Sequence, residues 1–135
     1  MAVTASLADS RQYLEKYPPT KASATQARHD ASLVLLTWHL EPLIESAELI
    51  VTELVANAIQ HGEGPIEFSI TRIEDGVKLA VADRSPNSPD PRPADPLDEG
   101  GRGILLVEAL ATSWGCQEKR NGKQVWAELL SSPGS

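Results

Sequence analysis

The chain has 135 residues, 41% of them apolar, and a formal net charge of −7 from 19 acidic and 12 basic side chains. This gives room for one domain with a core and not for two; the chain is too apolar for a disordered protein and too acidic for a non-specific grip on DNA or RNA, which needs clustered Lys and Arg. The single cysteine, Cys116, excludes an intrachain disulfide and any multi-cysteine metal site, and makes a reducing cytoplasm the simplest compartment.

Residues 1–10 read as a flexible leader. They lack the basic-then-apolar pattern of an export signal, and no apolar run in the chain reaches the ~20 residues of a membrane span, so a soluble, unexported protein is expected. Residues 11–130 are expected to form a single domain. Arg11–Tyr17 reads as an edge strand ended by Pro18-Pro19. Ser23–Leu40 reads as a helix with Ala27, Ala31, Val34, Leu35 and Trp38 on one face. His29 and His39 fall in or near it and, with no partner ligand in register, read as ordinary polar positions.

A second helix is expected from Pro42, which suits a first helical position, to His61, with Gly62 as its stop. Leu43, Ala47, Ile50, Val51, Leu54, Val55, Ala58 and Ile59 form one broad apolar arc on it. Ile66, Phe68 and Ile70, then Val77, Leu79 and Val81, alternate with other residues across Glu74-Asp75-Gly76, the pattern of a hairpin with one face on the helices. Asp83–Glu99 carries five prolines, a composition that excludes helix and central strand. A loop over 83–100 this long reads as a lid or binding loop. Gly100-Gly101-Arg102-Gly103 leads into a third helix from Ile104. Asn121-Gly122 marks a hairpin between Trp114–Arg120 and Lys123–Leu130, with residues 131–135 a tail. Segregated helices and hairpin strands predict an α+β fold: an antiparallel-rich sheet with helices on one face.

Three elements point to chemistry. Glu53, Asn57 and His61 lie four residues apart in succession and so stack in one row along a border of the apolar arc. Asn is a poor residue inside a helix, yet its amide oxygen is a hard ligand suited to Mg²⁺. Glu53, one turn earlier, is placed to take a proton from an attacking hydroxyl or water. On the row alone, the alternative is a solvated Glu and a tolerated Asn at the edge of a core helix. Asp83 closes a strand, where a carboxylate can accept a hydrogen bond from an exocyclic amine such as that of adenine, or merely start a turn. Glycines before a helix let backbone N–H groups approach a phosphate, with Arg102 able to add a charge-assisted contact; a hinge is the plainer option. The run fits neither the Walker nor the dinucleotide pattern.

In this order the elements resemble a known family. Glu53-Leu54-Val55-Ala56-Asn57-Ala58-Ile59-Gln60-His61-Gly62 resembles the N-box of the histidine-kinase-like ATPases, closest to the anti-sigma-factor serine kinases and their single-domain actinobacterial relatives. Asp83 falls at the Asp of the family's first glycine box, and Gly100-Gly101-Arg102-Gly103-Ile104 resembles the second. Trp114-Gly115 and Gly122–Glu128 resemble the closing hairpin, and the likeness covers residues 23–130. The resemblance implies a two-layer α/β sandwich of the Bergerat type. It implies ATP as ligand, Mg²⁺ on Asn57, a general base at Glu53, adenine on Asp83 and phosphates under Gly101–Gly103, with His61 completing the row. It also implies a regulatory protein partner, either a sigma factor or an antagonist phosphorylated on serine; a homodimer is compatible.

The sequence departs from the family pattern twice. Arg84-Ser85-Pro86 follows Asp83 where glycines are usual, and Gln124 stands where relatives often carry Thr, so its carboxamide would replace the hydroxyl that supports the adenine contact. The departures keep a second function open: a nucleotide-responsive protein-binding module with little catalysis. A structural protein with a vestigial pocket is the third.

Overall fold

Two hairpins and an edge strand build one five-stranded sheet. Strand β1 (Gln12–Tyr17), helix α1 (Lys21–Thr37), a 3-10 turn (Glu41–Leu43) and helix α2 (Ile44–His61) precede β2 (Ile66–Ile73) and β3 (Gly76–Asp83). Helix α3 (Glu99–Leu110), β4 (Ser113–Lys119) and β5 (Gly122–Leu130) follow. This computed structural model describes residues 10–61, 63–84, 99–120 and 122–131, with only the backbone at 61 and 99–104. The expected leader as far as residue 9, the loop from 85 to 98, Gly62, Asn121 and the tail from 132 lie outside the described residues.

The strand order is β1-β2-β3-β5-β4 and every neighbour pair is antiparallel. The expected α+β class, with an antiparallel sheet and helices, is the observed one. Alternation decides which face is dry. Ile66, Phe68 and Ile70 of β2, Val77, Leu79 and Val81 of β3, and Val125, Ala127 and Leu129 of β5 are all buried. They meet Ala27, Ala31, Val34 and Leu35 of α1 and Ala47, Ile50, Val51, Leu54, Val55 and Ala58 of α2 in one core. Each large apolar side chain removed from water there contributes about 1.5–3 kcal/mol before entropy is counted. Trp38 is in this core and Trp114 packs against it, whereas Trp126 lies half-buried on the other face beneath the Lys78 ammonium, 4.7 Å from the ring centroid.

Helix α1 starts two residues before the expected Ser23 and stops at Thr37, short of the expected Leu40. The stop is a Schellman turn: the Leu40 N–H donates to the Leu35 carbonyl at 2.8 Å and the His39 N–H to that of Leu36 at 3.1 Å. His39 takes the left-handed conformation, φ 60°, that the turn requires and glycine usually supplies. Pro42 sits in the separate 3-10 turn, so α2 begins at Ile44. In the first hairpin Ile73 faces Gly76, and Asp75, φ 64°, carries the left-handed turn position. Asp tolerates it because its short polar side chain can bond locally.

Candidate nucleotide-binding site

The N-box row lies on α2 as its spacing requires. Glu53 and Asn57 are both half-buried, between the buried arc and the exposed Ala56 and Gln60. Nine residues separate Glu48 from Asn57, which at about 100° per residue is half a turn. Glu48 accepts a hydrogen bond from the Ser32 hydroxyl of α1. The Glu53–Asn57 border therefore faces away from α1; α3 also packs on α2. His61 is the last residue of α2, and its side chain lies outside the described residues.

Asp83 ends β3 and is 7% exposed. It follows Val77, Leu79 and Val81 on the helix-facing side of the sheet, so its carboxylate belongs to the same layer as the core. Backbone contacts hold this end of the molecule together. The Arg84 N–H donates to the Glu63 carbonyl at 3.0 Å, tying the chain one residue beyond Asp83 to the chain two residues beyond His61. Gly122 packs so closely on β3 that a Cβ there would fall on the Asp83 carbonyl oxygen. Helix α3 leaves from the opposite end: the Thr112 N–H, just past it, donates to the Glu128 carbonyl at 2.8 Å, and Glu128 faces Lys78 on β3. The 12 residues of α3 span about 18 Å at 1.5 Å each, comparable with the run of β3 from Lys78 to Asp83 at about 3.4 Å per residue.

Two expectations are corrected. The glycine run does not precede the third helix as a loop: α3 begins at Glu99, so the backbones of Gly100, Gly101, Arg102, Gly103 and Ile104 are helical. The first four N–H groups of a helix have no partner within it. Those amides are therefore the ones from Glu99 to Arg102 rather than those after Gly103; the side chains here lie outside the described residues. The second concerns Gln124. It pairs with Ala82 and Gln117, and shares the outer face of the sheet with Trp126 and Glu128, so by alternation its side chain lies on the face opposite that of Asp83.

The residue that does face Asp83 is Lys123, its cross-strand partner. Beside it on β4, Cys116 pairs with Val125, on the same helix-facing side. Its sulfur is partly shielded although the residue as a whole is exposed. Burial pushes the Cys116 thiol up, the Lys123 ammonium pulls it back, and the Asp83 and Glu118 carboxylates push it up further. Sequence reasoning missed both residues. The signal was available: Val125, Ala127 and Leu129 are the dry positions of β5, and counting back by twos reaches Lys123, not Gln124. Among the described residues no group of three His, Cys, Asp or Glu side chains forms a ready-made metal cage. A site completed by a nucleotide's own phosphates needs none.

A model of the histidine kinase-like ATPase domain matches residues 17–129. The chain belongs to the histidine kinase-like ATPase family. The uncharacterized protein SCO4941 of Streptomyces coelicolor is 33% identical over 88 residues, covering 62% of this chain and 84% of that protein. ATP is the ligand that this ATPase domain implies. No helix among the described residues is long and apolar enough to cross a membrane.

Proposed function

We propose that this histidine kinase-like ATPase domain is a regulatory protein of the anti-sigma-factor serine kinase type. In this reading ATP binds where the C-terminal half of α2, the end of β3 and the first turn of α3 approach one another. The observation that supports it is the backbone bond from Arg84 to Glu63, which ties the chain just past Asp83 to the chain just past the helix that carries Asn57.

The available groups suit such a ligand. The buried Asp83 carboxylate is an acceptor for the adenine amine, and the free amides of the first turn of α3 suit phosphate. The half-buried Asn57 carboxamide is a hard oxygen donor for Mg²⁺. The metal, when bound, neutralises phosphate charge. Glu53, one turn along the same border, acts as general base on the serine hydroxyl of a partner protein. The proposed partner is an antagonist protein carrying that serine, or a sigma factor held directly.

A second reading has its own observation. The Arg84 N–H is already committed to Glu63, in the stretch where relatives carry permissive glycines. A stiffened segment beside the base favours a nucleotide-responsive binding module with slow turnover. Phosphate transfer from labelled ATP to a cognate antagonist decides between them. The kinase reading expects transfer by wild type, at least about a hundredfold less by Glu53→Ala, and loss of Mg²⁺ dependence in nucleotide binding by Asn57→Ala. Equal transfer by wild type and Glu53→Ala removes Glu53 from the mechanism. Nucleotide-dependent partner affinity without transfer supports the module.

A further inference from the structure

The nucleotide site does not use the outer face of the sheet, yet that face carries a trough. It encloses about 490 Å³, a volume typical of ligand clefts, and lies at the same end of the strands as Asp83. A single row of cross-strand partners runs through it: Lys16 of β1, Glu67 of β2, Ala82 of β3 and Gln124 of β5, continued by Gln117 of β4. Lys119 lines the β4 end, with Arg84 and Arg120 also on the wall.

The charge of the trough runs against that of the protein. Four of the chain's 12 cations line it, in a chain with net charge −7, against only Glu67 and Asp83. Lys16 stands directly opposite Glu67, so these two offset one another. Asp83 turns its side chain to the helix face. Arg84, Lys119 and Arg120 are left as a positive cluster at the β3–β5–β4 end; all three are exposed, and among the described residues no ion pair engages them. Lys119 faces Gly122, which has no side chain to neutralise it.

The shape selects among anions. A row crossing five strands at about 4.8 Å spacing is about 19 Å long, the length of some six extended residues at about 3.4 Å each. A lone phosphate would fill a small part of it. Ala82 and Gly122 line it with a methyl group and no side chain, which leaves room for a backbone, and the Gln124 carboxamide can both donate and accept hydrogen bonds. We propose that this trough is a docking site for an extended acidic peptide segment of a partner protein, its carboxylates against Arg84, Lys119 and Arg120. The site goes beyond the nucleotide reading and does not depend on it.

The test uses the full chain without ATP and a fluorescein-labelled hexaglutamate peptide, with hexaserine as the neutral control. Anisotropy titration at low salt is expected to show hexaglutamate binding. The double variant Lys119→Glu/Arg120→Glu should weaken it about tenfold or more, whereas Arg28→Glu, an exposed cation on α1, should leave it within about twofold. Amide NMR shifts on titration should centre on Glu67, Ala82 and Gln124. The substituted residues are exposed, so folding is expected to survive, with far-UV circular dichroism as the check. Binding no tighter than that of hexaserine overturns the proposal. So does an equal loss in Arg28→Glu, which would mean diffuse charge attraction, or shifts centred elsewhere. Displacement by inorganic phosphate as effective as by unlabelled peptide at matched charge would reassign the trough to a small anion and overturn the peptide.

Discussion

Two aspartates of this fold sit in differently built corners. Asp30, on α1, is closed upon by its neighbours. The Tyr17 hydroxyl donates to Oδ2 at 2.6 Å, the Tyr13 hydroxyl reaches the same oxygen at 3.5 Å, and the Gln26 amide donates to Oδ1 at 2.9 Å. The tyrosine rings pack on Phe68, with centroids 6.2 and 6.4 Å away. This corner fastens β1 and α1 together, with side chains alone supplying its bonds. Asp83 is buried where Asp30 is half-buried, and backbone contacts flank it: the bond from Arg84 to Glu63 behind it and the close approach of Gly122 beside it. A carboxylate whose oxygens are consumed by neighbouring side chains is a fastener. At Asp83 the strand end is held by a backbone clasp, and its carboxylate is the group proposed to meet adenine.

The contrast can be broken at either region. The largest effect is expected from Gly122→Ala, because the new Cβ collides with backbone that cannot swing away. A loss of about 3 kcal/mol in urea unfolding is expected, and a loss under 1 kcal/mol would show that the clasp at Asp83 is loose. Next is Asp83→Asn, expected to cost about 2 kcal/mol of ATP affinity by calorimetric titration, with thermal melting measured beside it. If the melting temperature falls while ATP affinity holds, Asp83 is the fastener and the assignment reverses.

Tyr17→Phe should show the opposite pattern. It is expected to lose about 1.5 kcal/mol of stability, as for a hydrogen bond to a charged acceptor, with ATP affinity unchanged. The same corner predicts a pH dependence. Burial above all, with the hydrogen bond to Asp30 next, raises the Tyr17 phenol far above its ordinary value, and burial raises Tyr13 as well. The folded state therefore holds these protons where the unfolded chain releases them, from about pH 10 upward. Their stabilisation is complete below that pH and is lost as pH rises through the folded-state values. Unfolding midpoints should drop above about pH 10 in wild type and less steeply in Tyr17→Phe; parallel curves would remove Tyr17 as the cause. The smallest effect is at the end of α1, away from both regions. His39→Gly relieves a left-handed residue and should raise stability by up to about 1 kcal/mol, as read from a guanidinium midpoint.

Much of the architecture was legible because its signals are local. Period-two alternation in Ile66–Ile70 and Val77–Val81 gave the hairpin, and the arc from Leu43 to Ala58 gave the long helix. Errors gathered where a neighbour in space decides. The end of α1 depends on a Schellman turn made with His39, which carries no glycine signal. The start of α3 at Glu99 includes a glycine run whose composition reads as loop. Of the candidate site, the placing of Glu53 and Asn57 on one helix border and of Asp83 at a strand end was legible, while Lys123 and Cys116 were passed over and Gln124 was given a role at the adenine although it lies on the outer face. A family motif gave Gln124 its role, whereas the alternation already present in β5 assigns it to the side of Trp126.

By itself the sequence determined the kind and order of the elements, the N-box row and the family, because helical and strand periods are spacings along one chain. The pairing of β3 with β5 was decided only by the tertiary structure, and with it the meeting of Asp83 with Lys123 and the basic trough behind them. Nearly forty residues separate those partners in sequence. Their register is fixed by which face of each strand is dry, and a slip of one residue would exchange the two faces of the sheet.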